Sequence, residues 1–338
     1  MADHADDDGD FDGDIFIYRG GRAPQHITHA RIDKSIDEIE DNAFDGREHL
    51  VQVDTHDGIR KIGREAFHKC KSLRRINLKS VVEIDEWAFY LCKKLESVEF
   101  GDRLETIGKS AFGCTSLTHL KLPSIITIGS GAFWNQPCLL DIEFSERLET
   151  IGRNAFGHCK RLQHIAIPLK RDLFEFSVHD ENYNTFGNCL QLTTVDLVGG
   201  THKTVASLHM ESWRAEMISE INRINQILPN TPVIFRRTTG PEGITPTNNK
   251  TEEIREWMEM VLDKMDQYKA EHYRYVKEGV SLLELALWKA KLHEKEESSE
   301  EGKTRKVKVD SKSARKERRI TCGADIVIKN VLPFLQLE

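Results

Sequence analysis

The chain has 338 residues, 39% hydrophobic and 30% charged, with a formal net charge of -7, a sequence pI near 6.1 and a mean hydropathy of -0.49. This excludes a membrane-embedded chain, since no run approaches the roughly 18–20 apolar residues that span a bilayer, and the acidic balance argues against wholesale binding to a phosphate backbone. The length allows two domains of roughly 100–200 residues or one long repeat array.

The first 14 residues hold seven Asp and no Lys or Arg, so neither the basic nor the apolar part of a secretion signal is present and a cytoplasmic address is expected. Asp8-Gly9-Asp10-Phe11-Asp12-Gly13-Asp14-Ile15 reproduces the first half of an EF-hand calcium loop. Its twelfth position is Arg19 instead of a bidentate Glu, so a disordered acidic tail over 1–14 is the better reading.

From residue 15 to 198 the sequence repeats. Ala-Phe recurs at Ala43-Phe44, Ala66-Phe67, Ala88-Phe89, Ala111-Phe112, Ala132-Phe133 and Ala155-Phe156, followed by the variant Thr185-Phe186. The Phe spacings are 23, 22, 23, 21, 23 and 30 residues, which defines about seven units. One frame surrounds each Phe: Ile62-Gly63, Ala66-Phe67, Cys70, Leu73, Ile76 and Leu78 in the second unit, and Ile151-Gly152, Ala155-Phe156, Cys159, Leu162, Ile165 and Ile167 in the sixth. Ile76 and Leu78 alternate with Asn77, as on a short strand with one buried face. Ile-Gly reads as a second short strand ending in a turn, Gly giving backbone freedom and Ala allowing close approach of coils. Each Phe fills the space between layers, and the Cys column (Cys70, Cys92, Cys114, Cys159, Cys189) packs as small buried thiols. With no Cys-x-x-Cys pair and an odd total of seven, free thiols are expected. Gln136 replaces Cys in the fifth unit, and the last unit carries an insertion from Leu169 to Asn184.

Ile-Gly, Ala-Phe, Cys and Leu-x-x-Ile-x-Leu in this order closely resemble the BspA-like class of leucine-rich repeats, over roughly Ile36 to Leu197. Residues 206–214 and 320–335 look similar to diatom proteins in which helices follow such repeats. The resemblance implies a binding scaffold that recognises other proteins, and bacterial members are often displayed at the cell surface. The fold class expected is therefore α+β: a leucine-rich-repeat β-solenoid followed by an α-helical region, 199–338, with a long helical hairpin.

In that region Met210, Trp213, Met217, Ile221, Ile224 and Leu228 form one apolar stripe, stopped by Pro229 and Pro232. A Pro- and Thr-rich connection, 229–250, is too rich in turn formers for regular structure. Ile254, Met258, Val261, Met265, Tyr268, His272 and Tyr275 then repeat at 4, 3, 4, 3, 4 and 3, a coiled-coil-like heptad seam that continues past Gly279 through Leu282, Leu283, Leu287 and Leu292. These seams either cover the solenoid's open end or each other, or recruit a partner helix, including self-association. A charged loop is expected over 294–319. Its segment Lys303 to Arg319 holds nine basic and two acidic residues but no aromatic, which fits a solvated loop or a nuclear import signal better than a nucleic-acid site.

The outward strand positions form two columns. The first reads Gln52, Arg75, Ser97, His119, Asp141, His164 and Thr194; the second reads Asp54, Asn77, Glu99, Lys121, Glu143, Ala166 and Asp196. On the concave face of a solenoid, Asp54, Arg75, Asn77, Glu99, His119, Lys121, Asp141, Glu143, His164 and Asp196 are the candidate partner-contact residues. The sequence holds no phosphate-cradling Gly loop, nucleophile elbow, His-Glu-x-x-His or kinase motif. No catalytic residue, cofactor or metal ligand is assigned, and the expected function is a non-catalytic protein–protein interaction scaffold, with a nucleus-associated regulator acting through 303–319 as the alternative.

Overall fold

The computed structural model describes residues 11–175, 184–208, 210–237, 244–248 and 250–300. Residues 8–10 of the calcium-loop-like stretch, 176–183 of the insertion and the basic segment 303–319 lie outside the described residues.

A strand of three to five residues cannot bury its apolar face alone, and stacking in parallel on the next copy solves this. Ile15–Tyr18, His29–Ile32, Gln52–Asp54, Arg75–Leu78 and Ser97–Phe100 form one parallel sheet, to which Phe11–Asp12 adds an antiparallel edge. Backbone pairing thus begins ahead of residue 15. His119–Leu122, Asp141–Phe144, His164–Pro168 and Thr194–Val198 form a second parallel sheet. The Ile-Gly segments supply two-residue strands, Glu38–Ile39 to Thr150–Ile151, that pair in a continuous six-stranded ladder. Residues of each unit therefore meet their equivalents one coil away, as in Ile76 opposite Val98 and Ile142 opposite Ile165.

Between the sheets runs a column of fully buried rings, Phe44, Phe67, Phe89, Phe112, Phe133, Phe156 and Phe186, headed by Tyr18. Neighbouring Phe centroids are 4.9–5.7 Å apart and the planes lie within 17° of parallel. That separation is close to the roughly 4.8 Å between hydrogen-bonded strands, so the ladder sets the stacking distance.

The residues two before and two after each Phe from Phe44 to Phe156 are left-handed, as is the one two after Phe186; Gly46 and Gly131 take two of these places. Asn42, Glu65, Trp87, Ser110 and Asn154 precede it, and Lys69, Leu91, Cys114, Asn135, His158 and Asn188 follow it, all with φ of 52–63°. The Ile-Gly glycines are not among them, so backbone freedom is not their role. They allow close approach: a Cβ on Gly108 would lie 2.7 Å from the backbone carbon of Asp85, and one on Gly152 2.4 Å from the Ser130 nitrogen.

The thiols of Cys70, Cys92, Cys159 and Cys189 are buried and donate to the carbonyls of Phe44, Phe67, Phe133 and Phe156 in the preceding coil, at 3.0–3.3 Å. Burial pushes the thiol pKa values of Cys70, Cys92 and Cys159 up, favouring the S–H form that makes this bond. Cys114 is a correction to the expected column. The column lies three residues after Phe, and there Thr115 is buried while Cys114 takes the left-handed position and is half-buried. Gln136 makes the thiol's bond, its amide donating to the Phe112 carbonyl of the preceding coil, while Thr115 Oγ1 donates to Gln136 Oε1 at 2.8 Å and reaches the Phe112 carbonyl of its own coil instead of the coil before.

The described residues divide into two compact units, 1–201 with 219–262, and 202–218 with 263–338. In the first, the solenoid's last coil is closed by residues outside the repeat. The backbone N–H of Phe44 donates to the Ala66 carbonyl one coil on, and Phe67, Phe89, Phe112 and Phe133 repeat the pattern. Phe186 has no next coil, and its N–H donates instead to Thr251 Oγ1 at 3.0 Å. Val195, on the edge strand, donates to Asn225 Oδ1 at 2.8 Å, and Lys250 Nζ donates to the carbonyls of Leu190 and Leu192. Ile221, Ile224, Leu228, Ile254, Trp257 and Val261 are buried in this unit, and Trp257 Nε1 donates to the Glu220 carbonyl at 2.9 Å.

Three helices carry these residues: α1 (Thr201–Ser207), α2 (Glu211–Ile227) and α3 (Lys250–Glu300). A single 3-10 turn, Leu228–Asn230, ends α2 at Pro229 as expected. The connection is not irregular throughout: Ile234–Arg237 pairs antiparallel with Ile244–Thr247. The β-branched Ile234, Ile244, Thr245 and Thr247 outweigh the turn formers there. Gly279 does not break α3, which continues to Glu300, seven residues into the stretch expected as a loop.

In the second unit, Trp213 stacks on Tyr268 at 4.9 Å and 10°, and Glu216 accepts from the Tyr268 hydroxyl and pairs with Lys264. Rising α3 numbers meet falling α2 numbers, an antiparallel hairpin as expected. The seam is buried through Tyr268, while Leu282, Leu283, Leu287 and Trp288 are exposed. No helix of the described residues is long and apolar enough to cross a membrane.

Candidate functional site

Alternation along each long strand gives every coil two outward side chains, and parallel register aligns them into rows. On the first sheet Gln52 lies opposite Arg75 and Arg75 opposite Ser97, with Asn77 opposite Glu99 in the second row. On the second sheet one row runs His119, Asp141, His164, Thr194 and the other Lys121, Glu143, Ala166, Asp196. The two sheets do not pair between Ser97–Phe100 and His119–Leu122. The ten candidate residues therefore fall into two groups.

Asp54, Arg75, Asn77 and Glu99 line one open hollow of about 680 Å³ on the first sheet, together with Gln52, Thr55 and Ser97. Gln52 Nε2 donates to Asp54 Oδ1 at 2.7 Å, and the Thr55 hydroxyl donates to the Asn77 carbonyl at 2.6 Å. Lys79 Nζ reaches Glu99 Oε2 at 2.7 Å; the ammonium lowers the Glu99 pKa and the carboxylate raises that of Lys79. Arg75 is exposed on the central strand of this group.

His119, Lys121, Asp141, Glu143, His164 and Asp196 lie on the second sheet and pair across strands. His119 Nδ1 meets Asp141 Oδ2, Lys121 Nζ lies 3.1 Å from Glu143 Oε2, and His164 Nε2 lies 2.9 Å from Asp196 Oδ2. Such exposed pairs add little stability, about 0–1 kcal/mol each. Among the described residues, no group of three or more His, Cys, Asp or Glu side chains is placed to hold a metal ion.

Sequence reading missed Lys79 and Thr55, because both follow the strand and belong to neither alternating column. The capping residues Asn225, Lys250 and Thr251 were also missed.

A family model described as the BspA type leucine rich repeat region matches six copies over residues 23–139 and 126–230. Among solved structures, a leucine rich repeat protein of T. pallidum is 27% identical, with 58% of this chain and 88% of that one covered at a TM-score of 0.45. One from Bacteroides ovatus is 24% identical, with 50% and 44% covered at 0.39. No curated protein matches the chain. The family match ends at residue 230, and the similarity to diatom proteins is not shown. Leucine-rich-repeat proteins generally mediate protein–protein interaction or adhesion. The family match spans residues 23–230 of 338, more than half the length, and the chain belongs to the BspA-type leucine-rich-repeat family.

Proposed function

We propose that this chain is a non-catalytic, cytoplasmic protein–protein interaction scaffold whose outward strand rows contact the partner. The register of the parallel strands carries this reading, because on each of the two sheets it aligns charged or polar side chains of successive coils into outward rows. Within it the chain divides into an acidic tail, expected over 1–14 but already paired into the sheet at Phe11–Asp12, the solenoid to 198 and the helical region 199–338. Self-association through the helices is a second element of the proposal, supported by the exposed apolar residues of α3. The alternative, a nucleus-associated regulator, is supported only by the composition of 303–319.

Affinity capture tests the scaffold reading, using the full chain because Thr251, Lys250 and Asn225 complete the solenoid's end. Reversing charge at Glu99, Lys121 and Glu143 together is expected to remove the partners held by the strand face while leaving the melting temperature nearly unchanged. Identical partner sets from both proteins would count against recognition by this face.

A further inference from the structure

We propose that Arg75 anchors a carboxylate side chain of the partner, so that the strand face recognises an extended segment carrying Asp or Glu; this rests on the interaction reading above. The other basic side chains of the two rows are answered by the protein itself. His119 has Asp141, Lys121 has Glu143, His164 has Asp196, and Arg31, in the coil before the hollow, has Asp12 at 3.2 Å. Lys79, beside the rows, has Glu99. Among the described residues, the Arg75 side chain alone of these makes no hydrogen bond or ion pair, although Asp54 and Glu99 line the same hollow. Its guanidinium offers a planar fork of donors that matches a carboxylate in two parallel bonds.

The neighbours sharpen the class of ligand. Gln52 and Ser97 flank Arg75 in register and bring an amide and a hydroxyl beside it, both able to donate to the same anion. Arg74, Arg75, Asp54 and Glu99 together give the hollow no net charge. A single negative charge at Arg75 is accommodated, whereas a phosphate dianion or a nucleic-acid backbone would also meet the two carboxylates. The open hollow, about 680 Å³, has room to seat the anchored side chain beside Gln52 and Ser97.

Selection of a displayed library of random nonapeptides, run in parallel on the full wild-type chain and on Arg75→Ala, tests this. Wild-type selections are expected to enrich Asp or Glu at one position, and Arg75→Ala selections to lose that enrichment. A selected peptide resynthesised with Glu, Gln or phosphoserine at that position should bind wild type about tenfold more tightly as Glu than as Gln. The phosphoserine form should not exceed the Glu form, and the Glu preference should vanish in Arg75→Ala at an unchanged melting temperature. Acidic enrichment that survives Arg75→Ala, or tighter binding of the phosphoserine form, overturns the assignment. Peptides that lack acidic preference yet are lost on reversing Glu99, Lys121 and Glu143 overturn the Arg75 anchor and leave the scaffold reading standing, whereas failure to select any peptide counts against both.

Discussion

Phe89→Ala is expected to destabilise the solenoid by about 3–5 kcal/mol, which for a unit of this size lowers the melting temperature by roughly 6–20 °C. Phe89 is fully buried and stacks on Phe67 at 5.0 Å and on Phe112 at 4.9 Å, so truncation removes ring contacts on both sides and opens a cavity in mid-column. Collapse cannot readily refill that space, because the short-strand ladder runs unbroken past this coil, Ser97–Phe100 pairs with Arg75–Leu78 on the Phe67 side, and Phe89 itself donates its backbone N–H to the Ala111 carbonyl on the other. Phe89→Leu retains most of the volume and should cost distinctly less. A melting temperature within a degree of wild type for Phe89→Ala, followed by circular dichroism, would show that the stacked column does not hold the coils together.

Gly101→Ala is expected to cost about 3 kcal/mol, near the upper end for overpacking. A Cβ at Gly101 would lie 1.8 Å from the carbonyl oxygen of Lys79 and 2.6 Å from its carbon, so relief requires the backbone of the neighbouring coil to move. The position follows the strand Ser97–Phe100, the last of the first sheet, and Lys79 follows the strand it pairs with. Displacing this segment would also move the Lys79–Glu99 pair beside the hollow. Gly279→Ala provides the contrast. It lies inside α3 with nothing within 4 Å of its added Cβ, and removing Gly from a helix interior gains about 0.5–1 kcal/mol. Equal melting temperatures for Gly101→Ala and wild type in thermal denaturation would contradict the close approach of these coils.

The repeat frame made much of this fold legible. A side chain recurring every 21–23 residues must occupy the same place in each coil, so Phe44 to Phe156 could be assigned to a buried column and Arg75, Asn77 and their equivalents to an outward face. Columns fail where a substitution preserves the bond and changes the residue. Gln136 supplies the donor to the preceding coil that cysteines supply elsewhere, and Thr115, in the column position beside Cys114, bonds to Gln136. The left-handed positions were only partly legible: Asn42, Asn135, Asn154, Asn188, Gly46 and Gly131 suit that conformation, but Glu65, Trp87 and Leu91, which do not, occupy the same places. The solenoid's end was hidden for a related reason. Thr251 and Lys250 act at Phe186, Leu190 and Leu192 across some 60 residues of sequence, and nothing in their local pattern marks them as substitutes for a missing coil. Of the candidate surface, the columns themselves were readable, but the division into a hollow around Arg75 and a self-paired set from His119 to Asp196 depends on the break between two sheets that share one repeat.

Carboxyl footprinting of the full chain with and without its captured partner tests most directly whether the strand face is where the scaffold binds. Protection of Asp54, Glu99, Asp141 and Glu143 on complex formation, with the carboxylates of the short-strand ladder at Glu38 and Glu83 left reactive, is the expected result. Protection confined to Glu38 and Glu83, or to the carboxylates of α3, with the four strand-face residues unchanged, would contradict it.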